Sequence, residues 1–434
     1  MKKIIGVFLW AMFSMAGFAQ SGTNSPYSQY GLGLLSDQTS GFNRGMNGLG
    51  VGFRENDQVN YLNPASYSAL DSLTFLFDAG FSGQLTNFKE NNIKINAKNA
   101  DLEYVVAGMR LAKHLGLSFG LLPFTNVGYK YAYENVIFAN AEGDRTISSY
   151  TYSGNGGFHQ VYMGAGWQPL KGLSVGANIA YLWGRYERSV VNSYNDQAIN
   201  TISKYYTASG RSYKLDLGLQ YTLHIAKNDW VTLGGTYTLG HTLNADPQLV
   251  IISQSPQTLV KDTTTNVVIK NGLELPTSYG VGLAWNHNNQ LKLGVDYSLQ
   301  QWGKTLYPAY SQTNKDSEYV LSKGMFSDRH KLTIGVEYCK NKNSRHFFQR
   351  IRYRVGGAYA TPYIKINGKD GPDEMSVSAG LGIPIINSWN NRSMLNISTQ
   401  WVKLDAKNFI TENSFRINIG ITFNERWFAK WKVK

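Results

Sequence analysis

The chain has 434 residues, a formal net charge of +13, one cysteine and 13% aromatic residues, and its mean hydropathy is −0.30. A lone Cys339 excludes an intramolecular disulfide framework, and beyond the first residues no run nears the roughly eighteen apolar residues of a spanning helix. The positive charge would suit nucleic acid in a cytosolic protein; an exported chain holds such residues in lumen, loops and tail, so no nucleic-acid partner is expected.

At the N-terminus, Lys2 and Lys3 precede an apolar stretch from Ile4 to Met15, and Gly17-Phe18-Ala19 gives a small-residue cleavage context. This pattern predicts a cleaved secretory signal over residues 1–19. No cysteine follows it, so lipid-anchored maturation is not expected. Residues 20–71 are rich in Gly, Asn and Ser and lack strand alternation. They are predicted to form a hatch, with Leu32, Leu34 and Leu49 packing it into a lumen.

From residue 72 to residue 423 the chain alternates in polarity. Leu291, Leu293, Val295, Tyr297 and Leu299 interleave with Lys292, Gly294, Asp296, Ser298 and Gln300, and residues 214–221 and 416–423 behave alike. Such stretches have one apolar and one polar face. On an exported chain they predict an all-β protein, a transmembrane antiparallel barrel of about fourteen strands. The strands are expected near 72–86, 101–112, 115–134, 157–168, 172–190, 204–224, 229–242, 274–286, 290–302, 329–340, 348–361, 374–384, 392–405 and 413–423. Short turns, such as Lys113-His114 and Asn286 to Asn289, alternate with longer polar segments, such as Leu243 to Leu273 and Gly303 to Asp328. That alternation suits periplasmic turns and external loops in an outer membrane. Trp167, Trp230, Trp285, Trp389 and Trp427 are expected at the periplasmic rim, and Trp183, Trp302 and Trp401 at the other. Residues 424–434 read as a basic periplasmic tail. Gly218, Gly294, Gly335 and Gly420 fall on the polar phase, which favours a lumen packed against another segment over a water-filled pore.

The seven histidines are scattered without metal-ligand spacing, no nucleophile elbow is present, and the glycines at 31, 33, 48, 50 and 52 lack a βαβ context. Asp370, Asp373 and Glu374 read as a solvated loop rather than a cation site. No enzyme activity, cofactor or metal is expected.

Gly48 to Ser66, containing Asn63-Pro64-Ala65, resembles the N-terminal hatch of the FadL-type long-chain fatty-acid transporters. Leu275 to Gly282, Leu293 to Tyr297, Gln301-Trp302, Phe326-Ser327-Asp328, Ile334 to Tyr338 and Arg354 to Tyr359, with Pro362, follow the same family's order. The closing Phe423 to Phe428 departs from the usual terminal ending and looks like the barrels of Bacteroidota. The resemblance implies a fourteen-stranded outer-membrane barrel with a hatch. It implies passive uptake of hydrophobic small molecules and lateral exit to lipid through a gap at a kink in the third strand. Here that strand holds Pro123-Phe124-Thr125-Asn126, the candidate lateral opening; a proline tolerated at a bulge is the alternative. Asn63-Pro64-Ala65 would be a rigid hatch turn. Two rivals remain open: a FadL-like adaptor of type IX secretion, presenting loops to secretion-system or surface proteins, and a general porin.

Overall fold

The computed structural model describes residues 22–72, 74–139, 145–313, 316–386, 392–407 and 409–426. The signal segment, Trp389, Trp427 and the tail from residue 427 lie outside the described residues. Fourteen antiparallel strands close into a barrel. They are β1 (Thr74–Glu90), β2 (Ile93–Ala112), β3 (Leu115–Ala139), β4 (Arg145–Leu170), β5 (Leu173–Tyr194), β6 (Thr201–Ala226) and β7 (Asp229–Thr238). The second half comprises β8 (Ser278–His287), β9 (Leu291–Gln300), β10 (Arg329–Tyr338), β11 (Arg352–Ala360), β12 (Asp373–Ile386), β13 (Arg392–Asp405) and β14 (Thr411–Arg426). Closure comes from β14 pairing with β1, from Thr74 opposite Arg426 to Lys89 opposite Thr411.

The alternation sorts the faces as lipid requires. On β9, Lys292, Gly294 and Asp296 are buried inward, while Val295 and Tyr297 are exposed outward. Leu217, Leu219, Val281, Ile334, Val355, Ile417 and Ile419 continue an outward apolar band around the barrel. Strands β7 to β10 are 10 residues each, about 33 Å of extended chain, which at the usual tilt spans an apolar band about 25 Å tall. Lipid on the outside and protein on the inside explain why the polar face is the buried one.

The wall is uneven in height. Strands β1 to β6 run from 17 to 26 residues, so one side rises well past the membrane. Residues 87–90, 93–100, 135–139, 145–156, 191–194 and 201–203, expected between strands, are strand. The tall side is extended further by Gln248–Gln254, which pairs with β6, and Lys261–Val268, which pairs with Gln248–Gln254. Over the low side, β7 to β11, the long loops fold inward.

Residues 22–70 occupy the lumen. Asn63 caps the short 3₁₀ helix Pro64–Ala69, its Oδ1 accepting from Ala65 N at 3.1 Å, while its Nδ2 donates to Val51 O at 2.9 Å and to Leu219 O of β6 at 3.1 Å. Asp296 accepts from Gly50 N at 2.6 Å and Val51 N at 2.7 Å. Lower down, Glu55 and Asp57 of the hatch join a buried ionic network. Lys292 meets Glu55 and Glu337, the latter at 2.9 Å; Arg354 meets Glu337 at 2.7 Å, and Arg352 meets Asp57. Burial alone would push the Asp57 carboxyl up, but Arg352 outweighs it and holds Asp57 below the usual carboxylate range.

Lumen glycines make this packing possible. A Cβ on Gly218 would overlap Asn63 and the Pro64 ring, one on Gly294 would lie 2.5 Å from Phe53, and one on Gly335 3.0 Å from Met46 Cβ. At Gly176 a Cβ would strike the Pro64–Ala65 backbone, whereas at Gly83 it would meet nothing within 4 Å. Gly176→Leu should therefore destabilise the seated hatch by about 1–3 kcal/mol, read as faster proteolysis within residues 40–70 while the barrel keeps its heat-modifiable gel mobility. Gly83→Ala should leave the proteolysis rate unchanged.

Candidate functional site

The barrel wall is incompletely paired between β2 and β3. β2 and β3 pair only from Val105 opposite Leu121 down to Ala112 opposite Leu115. Above that, Ile93–Tyr104 pairs with β1, and β3 pairs with β4. Pro123 has no N–H to offer across the wall, and the β3–β4 register shifts between Pro123 and Thr125, leaving Phe124 as a bulge. The bulge reverses the phase of β3: Ser118 and Leu122 are buried below it, Thr125, Val127 and Tyr129 above it. Opposite lie Gly156 and Gly157 of β4 at φ +111° and +143°, in a region that side chains disfavour, which lets β4 follow the bend.

The N-terminal segment partly pairs the freed edge of β3. Leu34 and Leu35 lie antiparallel to Asn126 and Thr125. Ser36 N donates to Phe124 O at 3.0 Å, Gln38 Nε2 to Pro123 O at 2.8 Å, and Gly128 N to Ser28 Oγ at 3.0 Å. On the β2 side, a second bulge between Gly80 and Phe81 of β1 leaves Glu103 without a partner in the β1 register. The Glu103 carboxylate accepts from Arg44 of the hatch at 2.9 Å.

A cavity of about 350 Å³ lies between the hatch and the loops and reaches the wall here. Leu34, Leu35, Phe124 and Asn126 line it on the side of the break, and Leu275, Tyr279, Val402 and Leu404 line it elsewhere. All four of its cations are ion-paired within the cavity, while Glu103 pairs with Arg44 of the hatch and Asp296 accepts hatch backbone N–H groups. Asp37 meets Arg416 at 3.3 Å and Lys331 at 4.0 Å, Arg329 meets Glu374 at 2.8 Å, and Lys214 meets Asp216 at 2.6 Å. Burial pushes Asp37 up, but Lys331, Arg416, Arg44 and Arg329 together pull its carboxyl down to about 2.

Aromatic residues from the inward-folded loops roof the cavity. Trp302 and Tyr363 have ring centroids 4.8 Å apart, and Tyr307 and Phe326 5.2 Å apart. Arg188 stacks on Tyr186 at 4.3 Å and donates to Tyr307 OH at 2.8 Å and Gly31 O at 2.7 Å. Trp302 is therefore no rim anchor: it is 1% exposed, because the loop carrying it turns over the low wall instead of standing at the lipid boundary.

The two residue sets singled out in the sequence are not brought together. Asn63, Pro64 and Ala65 form a hatch anchor against β4, β5 and β6, whereas Pro123 to Asn126 sit at the wall break, with Phe124 and Asn126 on the cavity. Sequence reasoning missed Asp37, Lys214, Asp216, Lys331 and Arg416. The four on strands fall on the polar phase, and charged residues at such positions were the available signal. Of the acidic loop residues, Asp370 accepts from Ser327 Oγ at 2.8 Å and Glu374 pairs with Arg329; among the described residues no group of His, Cys, Asp and Glu converges to hold a metal.

Asp37 gives this region a pH dependence. A carboxyl held down to about 2 in the folded chain, against roughly 3.9 unfolded, adds stability that is present above pH ~3.9 and lost as pH falls through the folded value. Amide protection of Ser36 to Gln38, corrected for intrinsic exchange, should fall on going from pH 5 to pH 2. Asp37→Asn should abolish that pH step.

Comparison with known proteins agrees with this architecture. No curated protein matches the chain. Among solved structures, the monoaromatic hydrocarbon channel CymD aligns over 92% of this chain and 100% of its own, with 13% identity and a TM-score of 0.59. The toluene transporter TbuX of Ralstonia pickettii aligns over 89% and 98%, with 13% identity and 0.58. A FadL homologue of Pseudomonas aeruginosa aligns over 90% and 99%, with 10% identity and 0.62. At such identities the likeness is one of fold. A family model described as BamG matches residues 1–434, and the chain belongs to the BamG family.

Proposed function

We propose that this protein is an outer-membrane barrel, exported through a cleaved signal over residues 1–19. In this reading it binds a hydrophobic small molecule in its internal cavity and exchanges it with the membrane at Pro123 to Asn126, passively and without a cofactor. One observation carries the reading: the cavity meets the wall at the stretch where β2 and β3 cease to pair. An apolar ligand gains roughly 0.8 kcal/mol per buried CH₂, and a side exit to lipid would preserve that gain. Because each cation lining the cavity already has a carboxylate partner, such a ligand need bring no anionic group. The fold neighbours named for toluene and monoaromatic hydrocarbons lend support by analogy of fold.

A second reading, a non-transporting interaction barrel, is favoured by the aromatic roof over the long-loop side of the cavity. Deleting Phe124 removes the bulge and distinguishes the two. For a transporter, uptake of toluene or a long-chain fatty acid should fall several-fold, toward the level of cells lacking the protein, with barrel folding intact. Unchanged uptake would remove the side-opening proposal, and wild-type protein that yields no hydrophobic molecule on solvent extraction would favour the interaction barrel.

A further inference from the structure

The short-turn end of the barrel carries a basic rim that neither the cavity nor the hatch uses. Lys113, Lys171, Lys227, Lys340, Lys342 and Arg345 are all exposed there. The acidic residues at this end are few: Asp71 holds Asn56 at 2.9 Å, Asp229 pairs with His287 at 2.8 Å, and Glu425 lies near the end of β14. None of Lys340, Lys342 and Arg345 has a carboxylate within ion-pair distance among the described residues.

Three of these cations lie in the turn between β10 and β11, which is built rather than loose. Asn341 N donates to Gln349 O at 2.9 Å, Ser344 N to Asn341 O at 3.1 Å, and Ser344 Oγ to Gln349 Oε1 at 2.8 Å. The turn presents Phe347 and Phe348, 45% and 74% exposed. Its side of the barrel is fixed by Tyr353, which faces lipid next to Val355 in the apolar band and whose hydroxyl donates to Phe348 O at 3.3 Å. Arg350 lies 6.0 Å from the Phe347 ring. Two exposed phenyl rings beside a lipid-facing tyrosine, in a turn that also carries three cations without ion pairs, have the amphipathic chemistry of a membrane interface.

We propose that this turn is a phospholipid-binding site. Lys340, Lys342 and Arg345 hold the headgroup phosphates of anionic phospholipid in the adjoining leaflet, while Phe347 and Phe348 enter the upper acyl region. Each such cation near an anionic surface contributes enough to multiply affinity several-fold. An acidic protein would satisfy the charges equally well, but it would not account for two exposed phenylalanines in a turn held by a lipid-facing tyrosine.

The full-length protein in detergent would be titrated with dioleoylphosphatidylglycerol or dioleoylphosphatidylcholine and the retained lipid counted by native mass spectrometry. The wild type should prefer phosphatidylglycerol. The triple variant Lys340→Gln, Lys342→Gln, Arg345→Gln should lose that preference by about tenfold or more with gel mobility unchanged, and Lys340→Arg with Lys342→Arg should keep it. Equal retention of both lipids, or an unaltered preference in the triple variant, overturns the proposal. A nitroxide on Phe348→Cys, in a Cys339→Ser background and a phosphatidylglycerol bilayer, should be quenched by oxygen rather than by an aqueous nickel chelate. Water-like quenching also overturns the proposal and points to a protein-docking surface instead.

Discussion

A chain crossing hydrocarbon without a long apolar helix must pair every backbone N–H and C=O within itself, because lipid offers no partner. This constraint explains the closed fourteen-strand circuit and makes the break between β2 and β3 the most informative place among the described residues. Where β2 and β3 part, the missing partner is not replaced by another wall strand. Leu34, Leu35, Ser36 and the Gln38 side chain take up part of the freed edge of β3. The same short segment thus belongs both to the lumen filling and to the wall, so a change in the seating of one changes the hydrogen bonding of the other.

The hatch is held by two different kinds of contact. Near the turns, Glu55 and Asp57 enter a charge network with Lys292, Glu337, Arg352 and Arg354, in which the desolvation of each ion is offset only if all its partners remain. Such a network fixes position more than it adds stability. Higher up, the hatch backbone itself makes the contact, Pro64 and Ala65 against the Gly176 backbone and the Gly50 and Val51 N–H groups on the Asp296 carboxylate. Removing side chains from the wall brings the hatch close enough for its N–H groups to reach a wall carboxylate directly.

How much of this was legible in the sequence depended on where lipid touches the chain. Within the membrane, alternation marked β5 to β10 and β12 to β14 closely, since outward residues meet hydrocarbon and inward ones meet the hatch or line the cavity. Above the membrane both faces of a strand meet water or protein, and alternation fades; residues 93–100, 135–139 and 145–156 look like loops yet are strand. Gly154-Asn155-Gly156-Gly157 has the composition of a turn but lies inside β4, where the bulge of β3 demands it. The lumen glycines announced close packing without saying which segment supplied it. Pro123 announced a defect in pairing, but the partners of Asp37 join residues hundreds of positions apart, and no local pattern could reveal them.

The uneven wall ties these features together. Because β7 to β11 end near the membrane surface, the loops after them have nothing to climb and fold across the lumen, carrying Trp302, Tyr307, Phe326 and Tyr363 onto the hydrophobic faces of Tyr27 and Leu32. Because β1 to β6 continue upward, the place where β2 leaves β3 lies on the tall side, where the roof aromatics pack in one cluster with Val127, Leu34 and Leu35. Hatch below and roof above then leave the cavity against the stretch of wall where β2 and β3 lack a complete ladder. A barrel of uniform height would expose its long loops around the whole rim and would have no reason to enclose a cavity beside its own defect. The position of the cavity is thus a consequence of strand length, written in which segments of the chain continue as sheet after they leave the lipid.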